Sequence, residues 1–381
     1  MINYNQERKM VMLKYFKVKN YKGFKDEIFL DFSKHRDYSF HQSFIKNGIV
    51  NKGIIYGKNG SGKSNFGLAI FDIICHLTDK FKNNDNVSYQ NGYNLTGFVN
   101  FEYVFTFGKD EITYKYSKLS PFSIISEELL INNQLVINYN FEDMNVINNL
   151  NEAHTLKLSS PLRIEQSYVR FVYDHCNFNE NHPLCLMMDF VNRMLWFRSV
   201  NNNQFVGYKE NPEQLTELID KAPNGVKGLE EFLSGVDKNL DFKLSIEKNL
   251  YNQKILMINY NDGNRLPFIN VVSTGTLSLW LFYYWSLEFE KISFLYIDDF
   301  DAHYYYKTSE YILNYINKMD GFQSFVTTHN TSLLNNDIVR PDCCFIISEN
   351  KEIKALPECT EKEIREAHNL ERMYRNGAFT L

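Results

Sequence analysis

Residues 57–64 read Gly-Lys-Asn-Gly-Ser-Gly-Lys-Ser, a full match to the spacing GxxxxGK(S/T). Each residue type answers a physical demand. Glycine lets the backbone curl so that successive N–H groups point inward at phosphate oxygens. The helix that follows presents its partial positive charge to the same oxygens. Lys63 is placed to reach the β- and γ-phosphates of a nucleoside triphosphate, and the Ser64 hydroxyl to ligate Mg2+. Gly57, Asn59, Gly60, Ser61, Gly62 and Asn65 complete the candidate set around ATP. A chance match in a chain of this length is on the order of one per cent.

Three further groups lie in the final third of the chain. Phe294 to Ile297 is an apolar run closed by Asp298 and Asp299. Asp298 is the expected holder of the Mg2+ shell, and Asp299 stands where a general base would polarise the attacking water. Thr327-Thr328-His329 closes the next apolar run, so His329 can contact the γ-phosphate or that water. A lone histidine also reads as a satisfied structural residue. Ser273-Thr274-Gly275-Thr276 opens a helical pattern. A serine hydroxyl and a glycine N–H at a helix start form an anion site, or a plain N-cap. Lys63 already serves this chain's own phosphate, so the anion-site reading has Ser273 and Gly275 facing the ATP of a second subunit.

The elements that must position these groups are alternating strands and helices, the pattern of a mostly parallel sheet with both faces covered. Tyr15 to Val18 and Ile28 to Phe32 read as paired strands, and Gly53 to Tyr56 as the strand before the glycine loop. An amphipathic helix is expected from Ser64 to about Leu77, then a polar loop over 79–94. Thr96 to about Ile137 reads as a β-meander with a turn at Gly108-Lys109-Asp110. Leu186 to Trp196, Glu213 to Ala222 and Gly228 to Leu233 fit a helical period, so this middle block looks inserted. Strands are expected over Ile292 to Ile297, Ser324 to Thr328 and Cys343 to Ser348, a helix from the STGT turn to about Glu290, and a last helix over Glu361 to Tyr374. The fold class is α/β: a P-loop head with a mostly parallel core sheet, an antiparallel β-subdomain and an inserted helical lobe. The expected division is 1–165 as the lobe with the glycine loop and meander, 166–250 as the helical insertion, and 251–381 as the C-terminal lobe.

Composition narrows the partners. Apolar residues make up 44% and charged residues 23%, values that exclude wholesale disorder. The net charge of −5 does not indicate nucleic acid, whose phosphates call for lysine and arginine. Lys14, Lys17, Lys19, Lys22 and Lys25 crowd the N-terminus, and read either as a local basic groove or as the solvated face of an exposed strand. The six cysteines show neither CxxC spacing nor a paired metal pattern, which suits a reduced cytoplasmic protein. The polar, charged start shows no leader pattern, and the longest apolar stretch, Leu277 to Phe289, is too short to span a bilayer.

Taken together, MLKYFKVKNYKGF, GKNGSGKS, STGT, LYIDDFDAHY, TTHNTSLLNNDIVRPD and HNLERMYRNGAF resemble the AAA15 group of ABC-type ATPases, relatives of OLD-family, SMC and Rad50 heads. The resemblance covers roughly residues 12 to 130 and 270 to 381. It implies head-to-tail dimers, or a higher assembly, with two composite ATP sites, Ser273 and Gly275 capping the γ-phosphate held at Lys63 of the opposite subunit. It also implies kinship with ATPases of bacterial anti-phage systems such as PARIS, Septu and abortive-infection modules, where the ATPase controls a separate effector such as a nuclease or toxin. Asp299 departs from the family's usual glutamate, and its shorter arm implies slow turnover. The family's Q-loop glutamine has two candidates here, Gln134 and Gln166. The alternatives are an ATP-binding scaffold with little turnover and a DNA-repair-type head.

Overall fold

The computed structural model describes residues 10–80, 89–143, 145–156, 162–198, 204–209 and 214–379. Four apolar runs, Lys52–Tyr56, Phe294–Asp298, Gln323–Thr328 and Cys344–Ile347, are buried along their whole length. Continuous burial is what a parallel sheet covered on both faces imposes. With Met194–Arg198 they form the parallel centre of a seven-stranded sheet. Its order is Phe205–Gly207, Met194–Arg198, Phe294–Asp298, Gln323–Thr328, Lys52–Tyr56, Cys344–Ile347, Ile353–Ala355, and the two edge strands run antiparallel. All five parallel strands therefore end on one edge of the sheet, where open α/β sheets bind ligands.

A second seven-stranded sheet is antiparallel and holds the meander. Its strand Val99–Phe107 alternates buried and solvent-facing residues, so one face packs inward. That face is lined with rings: Phe101, Tyr103, Phe105, Tyr114 and Tyr116 are all buried. It is bolted to the helix behind the glycine loop. The Tyr103 hydroxyl donates to the Ala69 carbonyl at 2.9 Å, and the Tyr116 hydroxyl to Asp72 Oδ2 at 3.0 Å. Asp72 also pairs with Lys118 at 2.7 Å, both almost wholly buried. Gln323 joins the two sheets: its side chain accepts from Leu13 N at 3.0 Å and donates to the carbonyls of Leu13 and Val50 at 3.0 and 2.9 Å.

The α/β class, with a mostly parallel core sheet and an antiparallel β-subdomain, is as the sequence pattern predicts. Three local readings need correction. The helical reading of Leu186 to Trp196 holds only to Asn192, where the helix Pro183–Asn192 stops, and Met194–Arg198 is a core strand. A short apolar run such as Met-Leu-Trp-Phe fits a buried strand as well as a helix, so periodicity could not decide. The span 166–250 thus contains a core strand as well as the helices Tyr168–His175, Leu215–Lys221 and Gly225–Val236. The last helix is only Leu370–Arg375, started by Asn369, whose side chain accepts from Arg372 N. The helix after the glycine loop is Lys63–Ile70, continued through a 3₁₀ turn by Ile74–Leu77. Part of the expected 79–94 loop, residues 81–88, lies outside the described residues, as does residue 213 of the expected Glu213–Ala222 helix. A three-stranded sheet, Leu244–Lys248, Lys254–Asn259 and Arg265–Pro267, leads into the Ser273 turn and has no counterpart in the sequence reading.

One buried cation marks the start of the loop strand. Lys52 donates to the Phe322 carbonyl at 3.3 Å and sits over the Phe322 ring at 3.9 Å. Burial, helped by the nearby Lys46 charge, pushes its ammonium down to about 7. In the unfolded chain it stays protonated to about 10.4. The unfolded state therefore binds more protons between these values, and folding becomes more favourable as pH rises through them. Lys52→Met should raise the melting temperature at pH 6 by on the order of 5 °C, and the gain should shrink toward pH 10. Thermal melts of both proteins at the two pH values check this, and a pH-independent difference refutes it.

Candidate functional site

The glycine loop leaves the buried Lys52–Tyr56 strand and enters the helix Lys63–Ile70. Gly60 and Gly62 take φ of 76° and 117°, a region that disfavours any side chain. A Cβ on Gly62 would also lie 2.8 Å from the Phe24 ring. The Lys63 ammonium curls back over the loop and donates to the carbonyls of Gly57 and Lys58 at 2.7 and 3.3 Å. Burial lowers its pKa, while Asp299 and Asp298 pull it back up. Ser61 Oγ is buried in the loop without a hydrogen-bond partner among the described residues, as a donor reserved for a phosphate oxygen would be. From the turn after Cys344–Ile347, the Lys351 ammonium holds the loop's outer side, donating to the Gly60 and Ser61 carbonyls at 2.7 and 2.9 Å.

Asp298 ends the buried strand Phe294–Asp298, two places from the loop strand in the sheet, with its side chain fully enclosed. Its Oδ1 accepts from the Thr327 hydroxyl at 2.9 Å, and that hydroxyl accepts from Asp299 N at 2.7 Å. Its Oδ2 accepts from Arg198 Nε at 2.9 Å. Arg198 Nη2 donates to Ser64 Oγ at 2.7 Å and lies 3.6 Å from Asp299 Oδ2. Ser64 and Asp298 thus converge on one cation-binding point, and hydroxyl and carboxylate oxygens are the hard ligands that Mg2+ takes. The residues present fit that ion.

Asp299 has φ of 46°, a left-handed conformation that aspartate tolerates and longer side chains resist. Burial and the Asp298 charge raise its pKa, and Arg198, Lys63 and His329 oppose the rise. Asp301 is buried and accepts from the Thr328 hydroxyl at 2.8 Å; burial raises its pKa too. His329 is exposed at the end of Gln323–Thr328, within electrostatic reach of Asp299 and Asp301.

Ser273 and Gly275 make their contacts elsewhere. Ser273 is exposed and caps the helix Thr274–Ser286, its Oγ accepting from Thr276 N at 3.2 Å. Gly275 packs so tightly on the segment after Asp298 that a Cβ would sit 2.7 Å from the His303 carbonyl. Asn59 is exposed on the loop, and Asn65 lies in the first turn of the helix. The two glutamine candidates fall away from the strand ends. Gln134 is the exposed first residue of a strand of the antiparallel sheet, and Gln166 accepts from Arg163 N at 3.3 Å in a turn before the helix Tyr168–His175. The residue that reaches Ser64 and Asp298 from the adjacent strand is Arg198. The sequence reading missed it because its strand was taken for helix; an arginine closing an apolar run was the available signal. Thr327 and Lys351 were missed as well. A strand-end hydroxyl and a surface lysine carry no signal without the fold.

The sequence family described as "AAA domain, putative AbiEii toxin, Type IV TA system" matches residues 54–335, about three quarters of the chain. No curated protein matches the chain. Among solved structures, the SMC head domain from Thermotoga maritima is similar at 14% identity and a TM-score of 0.41, covering 90% of this chain and 98% of its own. The recombination mediator protein RecF-ATPrS in RecFOR pathway is similar at 15% identity and a TM-score of 0.43, covering 92% and 99%.

Lys63→Ala should weaken ATP binding on the order of 100-fold, the worth of charge-assisted bonds to two phosphates. Titration calorimetry with ATP-Mg checks this. Unchanged affinity refutes the placement of the phosphates at this loop.

Proposed function

The chain belongs to this AAA-domain, AbiEii-type family, and from that premise we propose that it is an ABC-type ATPase whose two copies close head to tail around ATP-Mg. It hydrolyses ATP slowly, and the closure controls a separate effector, such as a nuclease or toxin, in anti-phage defence in the cytoplasm. The observation that carries the ATPase reading is the meeting of four strand ends: the glycine loop with Lys63, Asp298 with Asp299, Thr328 with His329, and Arg198 all lie on one edge of the parallel sheet.

The residues then have separable roles. The loop amides and Lys63 hold and orient the phosphates. Bound Mg2+, held by Ser64 and Asp298, would neutralise charge on the transferring phosphoryl group. Asp299 orients the attacking water and accepts its proton, and its raised pKa makes it a better base than a solvated aspartate. His329 contacts the γ-phosphate or the same water. Across the dimer, exposed Ser273 and the N–H of Gly275 would cap the γ-phosphate held at Lys63 of the other copy. The exposed helix start supports that role, since its orphan N–H groups are anion-seeking. Exposed Ile269, Val271, Tyr305 and Tyr306, close in sequence to Ser273 and His303, supply apolar surface for such a contact.

A scaffold reading, in which ATP is held with little turnover, draws support from Asp299 itself. Its arm is one methylene shorter than glutamate, and a glutamate there would take on left-handed strain of about 1 kcal/mol. The net charge of −5 keeps a nucleic-acid-gripping head in third place.

Asp299→Asn should trap the closed state, doubling the mass seen by light scattering when ATP-Mg is added. A mass that never changes with nucleotide refutes the dimer cycle. Steady-state phosphate release separates the first two readings. Slow release that Lys63→Ala abolishes supports the ATPase. Release no greater than that of Lys63→Ala, rising in Asp299→Glu, supports the scaffold.

A further inference from the structure

We infer that Arg198 is an internal counter-ion seated where the nucleotide's metal binds, so that the empty site refuses divalent cations and ATP-Mg must eject the guanidinium to enter. The inference rests on reading the Lys63 loop as a nucleotide site. Arg198 is the last residue of Met194–Arg198 and stands in register with Asp298 across a parallel pair. One guanidinium touches both groups expected to hold the metal. Its Nε is 2.9 Å from Asp298 Oδ2, its Nη2 is 2.7 Å from Ser64 Oγ, and Nη2 also donates to Asp298 Oδ2.

The electrostatics call for a cation here. Asp298 is fully enclosed, and Asp299 stands next to it, so the pair is unfavourable unless neutralised. Lys63 acts on the pair only at longer range, since its ammonium donates to the loop carbonyls of Gly57 and Lys58. Arginine suits the place, because its planar fork spans a hydroxyl and a carboxylate at once and keeps its charge.

The same geometry makes the guanidinium and the metal exclusive. Mg2+ binds oxygen at about 2.0–2.1 Å. It would have to take the Ser64 and Asp298 oxygens that now accept from Arg198, and two cations in one seat repel. The Arg198 side chain is 24% exposed at a strand end, so it has solvent to swing into. Its donors then face the phosphates rather than the carboxylates. The metal arrives only with nucleotide. After hydrolysis, the returning guanidinium competes for Asp298 and favours release of ADP-Mg.

The test is Mn2+ binding to the full chain without nucleotide, read by electron paramagnetic resonance, for the native protein, Arg198→Gln and Arg198→Lys. The native chain is expected to take up no Mn2+ at this site at millimolar ion. Arg198→Gln should bind it at least 10-fold more tightly. Arg198→Lys should gain less than Arg198→Gln yet bind more tightly than the native chain, because an ammonium keeps the charge but lacks the fork that spans Ser64 and Asp298. The lysine variant keeps a cation beside Asp298, which protects folding if the glutamine variant is lost. Mn2+ held by the native chain and lost in Asp298→Asn overturns the inference, as does an Arg198→Lys variant that behaves as native. Failure of the nucleotide reading looks different: a native chain that binds no ATP with or without Mg2+.

Discussion

A carboxylate that is fully buried at the end of a strand must be neutralised and hydrogen-bonded, and much of the site follows from how Asp298 meets that requirement. One oxygen takes the Thr327 hydroxyl from the next strand, and the other takes the Arg198 guanidinium from the strand on the opposite side. Both bonds need parallel register, since Arg198, Asp298 and Thr327 come level only when three strands run the same way. The parallel sheet is therefore more than a frame. It sets the spacing at which a hydroxyl, a carboxylate and a cation can satisfy one another, and the same spacing places Ser64 on the far side of the guanidinium.

The antiparallel sheet contributes rigidity at the one element that cannot drift. The helix behind the glycine loop carries Lys63 and Ser64 in its first turn, and its own eight residues are too few to be stable alone. Its position is set instead by packing and by buried polar bonds. Tyr103 holds its last carbonyls, and the Tyr296 hydroxyl donates to the Lys63 carbonyl at 3.0 Å from the Asp298 strand. The Asp72–Lys118 pair fixes the segment that continues the helix. A buried pair of this kind adds little net stability over apolar packing, but removing either partner would leave the other charge buried and unpaired. Tyr103 and Tyr296 thus help to orient the loop, their hydroxyls finding the backbone of the helix behind it.

What could be read from the sequence divides along a physical line. The glycine loop was legible because a local backbone demand, φ above zero at Gly60 and Gly62, writes itself into residue type at fixed spacing. Asp298 was legible because it interrupts an apolar run. Arg198 was not, although it contacts both Ser64 and Asp298. Its partners lie 134 and 100 positions away in the chain, and its strand has no turn chemistry or β-branched residues to tell it from the preceding helix. The glutamine candidates fail for the same reason. Gln134 and Gln166 were chosen by residue type, whereas the position that matters is set by which strand lies next to Phe294–Asp298.

Asp299 shows how residue type and backbone constrain each other. Its amide must turn to donate to the Thr327 hydroxyl that also serves Asp298, and the chain meets that demand with a φ of 46°. Left-handed backbone favours short polar side chains over long ones. A glutamate could reach farther toward an attacking water, but it would have to adopt a conformation that aspartate occupies more readily. The shorter acid is then consistent with a site tuned for holding the sheet ends in register, with reach toward water as the secondary property. The hydrogen bond from the Asp299 amide to Thr327 thus ties the turn after Asp298 to a short acid, and a longer one would require that bond, and with it the turn, to be rebuilt.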